Sequence, residues 1–124
     1  MKFPRSRFER LAEAALAEIP GQFRDLIVDL EISVKAAPGP EAGRWRGSQT
    51  LLGLYQGLRR ADMLSPYSGS HEPARIILYQ RNIESLCRDE AELFRQVRIT
   101  LRHELAHHFG FSDDDLRQRW PEGA

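Results

Sequence analysis

Apolar residues recur every three or four positions in two long stretches of the chain, and this spacing predicts amphipathic helices. The first stretch covers residues 6–19, and Pro20 and Gly21 are expected to end it. The second begins at Asp89, a residue type favoured at helix N-termini, and continues to Phe109. Its apolar residues form one packed side and a second patch nearly opposite: Leu93, Phe94, Val97, Leu101 and Leu105, then Ile99 and Ala106. We therefore expect packing on both sides of the polar stripe between them.

Three further stretches predict β-strands. Residues 28–35 alternate between apolar and polar side chains, as in a half-buried strand. Residues 74–79 are rich in β-branched and aromatic side chains, which favour strands. Residues 51–57 form another apolar stretch, in which Gly53 and Gly57 indicate a bulge or the close approach of another backbone.

Two segments rich in proline, glycine and serine are predicted to be loops. The first covers residues 37–50 and contains Trp45, which we expect to fold over the core rather than to contact a partner. The second covers residues 65–73 and contains His71, which we expect in solvent, although it could line a site. Short helical turns are expected at residues 22–27 and 82–86.

Composition excludes several classes of protein. The 124 residues suit a single domain, and 41% hydrophobic with 29% charged residues is typical of a soluble globular protein. The formal net charge is zero, so neither nucleic acid nor an anionic membrane is expected as a partner. No apolar run is long enough to span a bilayer, and the N-terminus lacks the apolar region of a signal peptide. Cys87 is the only cysteine and is expected to be a semi-buried packing residue, which fits a cytoplasmic protein.

The residues that carry chemistry lie near the end of the second long helix, at His103-Glu104-Leu105-Ala106-His107. Two histidines four positions apart share one helix face, so both imidazoles can reach one ion at Zn–N distances of about 2.0–2.1 Å. Glu104 lies beside the first histidine and can act on water near that ion as a general base. The alternative is a solvated helix face without a metal. We favour the metal site.

A third ligand is expected just after the helix. Gly110 can end the helix in a left-handed conformation and turn the chain back. Asp113 follows three positions later, and Asp114 or Asp115 could take its place. Ser112 is expected to cap a last helix, whose first turn favours acidic residues, so the alternative is that capping chemistry alone explains this acidic cluster.

Several segments together resemble the small bacterial zincin-like metallopeptidases, the minimal metalloprotease-like family. These are GLYQG at residues 53–57, IILYQRNIE at 76–84 and HELAHHFG at 103–110, and the resemblance covers about residues 8–117. It implies an α+β zincin-like fold, with a three- to four-stranded mixed sheet packed on a long metal-binding helix. It also implies one Zn²⁺ per chain held by His103, His107 and Asp113, with Glu104 as catalytic base.

The mechanism implied by these residues is hydrolysis of a peptide or protein substrate. Three protein ligands leave one zinc position for water, as in catalytic zinc sites. An extended peptide would pair with a sheet edge, such as the strand at 74–79. Tyr55, Tyr79 and His108 are considered for stabilising the oxyanion, although packing roles are expected for all three. The alternatives are a metal-binding module without turnover and a metal hydrolase that does not cleave peptides.

Overall fold

The computed structural model describes residues 2–66, 69 and 73–121. The helices are α1 (Arg5–Ala17), α2 (Gly21–Arg24), α3 (Arg60–Met63), α4 (Gln80–Glu84), α5 (Glu90–Phe109) and α6 (Asp113–Arg119), and the strands are β1 (Leu30–Lys35), β2 (Gly53–Gln56) and β3 (Ala74–Tyr79). A 3-10 segment covers Pro40–Trp45. The α+β class expected from the sequence is confirmed, whereas α3 was not predicted. The expectation for His71 lies outside the described residues.

The three strands form one mixed sheet in the order β1-β3-β2. Strand β1 runs parallel to β3, and β2 runs antiparallel to it. The central strand β3 is therefore paired on both sides and cannot accept a further strand, so the expectation that a peptide adds to residues 74–79 is wrong. Among the described residues, the free edges belong to β1 and β2.

The register of β2 shows which of its backbone groups face outward. The N–H of Tyr79 donates to the carbonyl oxygen of Leu52 at 2.9 Å, so this pair is a hydrogen-bonded position of the ladder. In an antiparallel ladder, hydrogen-bonded and non-hydrogen-bonded pairs alternate. Gly53 and Tyr55 are the non-hydrogen-bonded positions, and their backbone N–H and C=O groups point away from β3.

Helices α1 and α5 pack on one face of the sheet and form the main core with it. The apolar side predicted for α5 is buried, since Leu93, Val97 and Leu105 are fully inaccessible and Leu101 is nearly so. The helix begins at Asp89, whose side chain accepts from the N–H of Glu92. These local signals predicted the bounds of α5 correctly, because its caps and its apolar stripe are all short-range features.

The opposite face of the sheet is covered by the segment around Glu41. Its carboxylate accepts from the Tyr79 hydroxyl at 2.9 Å, from Lys35 Nζ at 2.9 Å and from the Gly39 N–H at 2.8 Å. The Gly39 N–H and then Lys35 lower the pKa of Glu41 to about 2. Trp45 follows this segment but does not cover the core. It is 48% exposed and lies under the Arg44 guanidinium, so the expected covering role was wrong.

Strand β1 is shorter than the sequence predicted. It begins at Leu30 rather than at residue 28, because Asp29 has a positive φ of 48° that interrupts the extended conformation.

Cys87 is buried, and burial raises the pKa of its thiol, which agrees with a packing role. None of the described helices is both long and apolar enough to cross a membrane.

Candidate metal centre

Helix α5 presents the two histidines of the motif to solvent. His103 and His107 are both exposed, one turn apart on the same side of the helix. Thr100 and Leu105, by contrast, are buried against the rest of the protein. The two imidazoles are thus held on a well-packed helix while their ring nitrogens remain free to approach an ion.

Glu104 lies between this histidine face and strand β2. A Cβ atom built at Gly53 would lie only 3.2 Å from Glu104 Cγ, which confirms the close approach predicted for this glycine. Burial raises the pKa of the Glu104 carboxyl, while His107 and the backbone N–H of Tyr55 act in the opposite direction. The carboxylate is therefore half-buried at the free edge of β2, next to the two histidines.

The acidic residues after the helix have different surroundings. Gly110 ends α5 in the left-handed conformation, with φ 76° and ψ 24°, as predicted. Ser112 and Asp115 form a reciprocal capping box at the start of α6, and Asp114 pairs with Arg117. The capping role expected for Ser112 is confirmed, and Asp115 takes part in it.

The third metal ligand is not assembled in the described part of the chain. Within residues 2–66, 69 and 73–121, no group of three or more His, Cys, Asp or Glu side chains is placed to hold a metal ion. Asp113 is exposed, and no hydrogen bond or ion pair is found for its side chain among these residues. The assignment of Asp113 as third ligand stays a prediction.

His108, for which a packing role was expected, lies next to the site. It is fully buried, accepts from the N–H of Val28 through Nε2 at 3.0 Å, and lies 2.8 Å from the Tyr55 hydroxyl through Nδ1. Burial lowers its pKa, and nearby Arg60 adds to the effect. Its position seven residues after Leu101 places it on the apolar side of α5, which is the signal that indicates burial.

The three side chains considered for the oxyanion have other partners. Tyr79 donates to Glu41 on the far face of the sheet, and the Tyr55 hydroxyl is engaged by His108 and by the carbonyl of Leu58. The packing roles expected for these residues are therefore the ones observed.

The donor set fits a zinc ion as far as it is assembled. Two imidazoles at positions i and i+4 are of the residue type and spacing that zinc sites use, and a carboxylate follows the first of them. A long helix with this histidine pair, packed on a small mixed sheet, is the arrangement that the resemblance to zincin-like proteins implies. A family model described as a zincin-like metallopeptidase matches residues 27–121, so the chain belongs to that family. No curated protein matches the chain.

Proposed function

We propose that this protein is a zinc-dependent peptidase that hydrolyses peptide bonds with Glu104 as general base. His103 and His107 would hold the ion, and Asp113 would complete the protein ligands. Membership of a metallopeptidase family supports a peptide or protein substrate. The proposal assigns one Zn²⁺ to each chain.

The observation that carries this proposal is the position of Glu104. It follows His103 directly on α5 and packs against β2, where a Cβ atom at Gly53 would lie 3.2 Å from Glu104 Cγ. A structural metal site needs no carboxylate base next to its ligands, whereas hydrolysis does. The free edge also offers the outward N–H and C=O of Gly53 and the outward C=O of Tyr55, which can pair with an extended peptide by strand addition.

The residues of the chain then have distinct tasks. When bound, zinc polarises a peptide carbonyl and makes water a better nucleophile near neutral pH. Glu104 accepts the proton of the attacking water and transfers it to the nitrogen of the leaving amine. The edge of β2 aligns the peptide backbone with this carboxylate. This alignment lowers the entropy that must be lost in the reaction step itself.

Asp113 is favoured over its neighbours because of their contacts. Asp115 is used by the capping box and Asp114 by its ion pair with Arg117. Recruiting either neighbour would break one of these contacts, whereas Asp113 has no such contact among the described residues. This difference supports Asp113 as the ligand that turns toward the histidine face.

The test is hydrolysis of a mixed peptide library by zinc-loaded protein, with and without a chelator. Cleavage that the chelator abolishes and added zinc restores is expected. His103→Ala and His107→Ala should each lose tight zinc binding and cleavage, and the exposed Arg95→Ala on the same helix is the matched control. Stoichiometric zinc without cleavage would instead indicate a binding module, and cleavage of esters but not peptides would indicate another kind of hydrolase.

A further inference from the structure

A partly buried chain of hydrogen bonds joins four segments next to the candidate site. The N–H of Val28 donates to His108 Nε2 at 3.0 Å. His108 Nδ1 lies 2.8 Å from the Tyr55 hydroxyl oxygen, and this hydroxyl also contacts the carbonyl oxygen of Leu58. The chain therefore connects the segment before β1 with α5, β2 and the residues after β2.

The direction of each bond follows from the number of protons available. His108 Nε2 accepts from a backbone N–H, so the single proton of the neutral imidazole is on Nδ1. Nδ1–H then donates to the Tyr55 oxygen, and the hydroxyl proton of Tyr55 donates to Leu58. Both imidazole nitrogens and the tyrosine hydroxyl then each have a hydrogen-bond partner. This arrangement fixes one orientation for each of the two side chains.

Strand β2 contacts α5 at two successive turns. The Tyr55 hydroxyl binds His108, and Gly53, two positions earlier in the strand, lies against Glu104, because a Cβ atom at this glycine would come within 3.2 Å of Glu104 Cγ. The ring of Tyr55 also lies against the imidazole, with centroids 5.6 Å apart. The edge strand is thus held against the turn that carries His108 and against the preceding turn, which carries the proposed base.

We propose that Tyr55 and His108 are positioning residues, which hold the free edge of β2 at a defined distance from Glu104 so that a bound peptide meets the base. This inference rests on the proposed peptidase function. The Tyr55 hydroxyl group makes this connection. Its removal breaks the hydrogen bond to α5, while the aromatic ring can still pack. Placement errors of about 1 Å can cost about 100-fold in rate.

The decisive variant is Tyr55→Phe, with Tyr79→Phe as its matched control. Tyr79 is a fully buried tyrosine of the neighbouring strand, and its hydroxyl binds Glu41 on the other face of the sheet. Both variants remove one hydroxyl and keep the ring. Of the two tyrosine hydroxyls, only that of Tyr55 connects its strand to α5.

Two measurements are made on each zinc-loaded variant. The first is amide hydrogen exchange at residue 55, which we expect to accelerate at least about tenfold in Tyr55→Phe and to stay near the wild-type rate in Tyr79→Phe. The second is the steady-state rate on a cleaved peptide. We expect kcat/KM to fall about 10- to 100-fold in Tyr55→Phe, with unchanged zinc affinity, and to remain near wild type in Tyr79→Phe.

The two measurements separate this inference from the proposed function. Unchanged exchange at residue 55 in Tyr55→Phe would overturn the positioning role, whatever the activity. Faster exchange with an unaltered kcat/KM would show that the placement of the edge does not matter for catalysis and would also overturn it. If the wild-type protein cleaved no peptide, the peptidase proposal would fail and the catalytic part of this inference with it, while the exchange data would still report whether the hydroxyl holds the edge.

Discussion

Gly53→Ala should damage hydrolysis more than it damages stability. The added methyl group would lie 2.8 Å from Thr100 Cγ2, whereas carbon atoms in contact are normally about 3.5–4.0 Å apart. Thr100 cannot easily rotate away, because its hydroxyl donates to the carbonyl of Gln96 at 2.8 Å. Relief therefore requires a shift of about 1 Å between β2 and α5, at the turn that carries Glu104.

The magnitude follows from this clash. Overpacking of a close contact costs about 1–3 kcal/mol, and the lower backbone entropy of alanine in the unfolded chain offsets about 0.5–1 kcal/mol. We expect a net loss of about 1–2 kcal/mol in the free energy of unfolding. A displacement of about 1 Å at Glu104 should reduce kcat/KM by about 100-fold in the molecules that remain folded.

The two assays are urea unfolding and peptide hydrolysis, the second measured under conditions in which each variant is fully folded. Gly21→Ala is the matched control, because a Cβ atom at that position meets nothing within 4 Å, and we expect wild-type activity with a free energy of unfolding raised by about 0.5–1 kcal/mol. Thr100→Ser removes the clashing methyl group, so Gly53→Ala combined with Thr100→Ser should recover most of the lost activity. A fully active Gly53→Ala protein, or a double variant no better than the single one, would refute this account of how β2 and α5 pack.

Three further outcomes are expected. Excess zinc should raise the free energy of unfolding, by about 2.7 kcal/mol at a free concentration 100 times Kd, and a scan without any zinc-dependent shift would argue against the metal site. Asp113→Ala should weaken zinc binding at least about 10-fold in a competitive titration, whereas Asp114→Ala and Asp115→Ala should not. Equal zinc affinity in wild type and Asp113→Ala would mean that the acidic cluster serves only to start α6. The pKa of Glu41 is lowered from 4.5 to about 2, so its contribution to stability is present above about pH 4.5 and is lost as the pH falls toward 2. Urea unfolding across this range should show a weaker pH dependence in Glu41→Gln, and identical curves would mean that the contacts of Glu41 do not contribute.

Local signals allowed much of the fold to be predicted. The bounds of α5 follow from Asp89 at its start and Gly110 at its end, and those of β3 from its β-branched composition. The close approach at Gly53 was also indicated, since a glycine inside an apolar strand often marks a place where another part of the chain comes near the backbone.

Strand order could not be derived in the same way, because pairing depends on contacts between distant segments. The consecutive apolar residues Ile76, Ile77 and Leu78 were nevertheless a signal that β3 is covered on both faces, as in a central strand. The exposure of Trp45 was not predictable, since Ala42 and Glu41 already cover that face of the sheet. The contact between Tyr55 and His108 was not predictable either, because it joins residues that are 53 positions apart in the sequence.

The central claim is that Glu104 is a base beside the metal and not one of its ligands. The most direct measurement compares zinc content and peptide hydrolysis in the wild type and in Glu104→Gln, with folding checked by circular dichroism. The account predicts that Glu104→Gln retains one zinc per chain and the folded structure, while kcat falls by about 10²–10⁴-fold. Loss of zinc from Glu104→Gln, or retention of full activity, would contradict it.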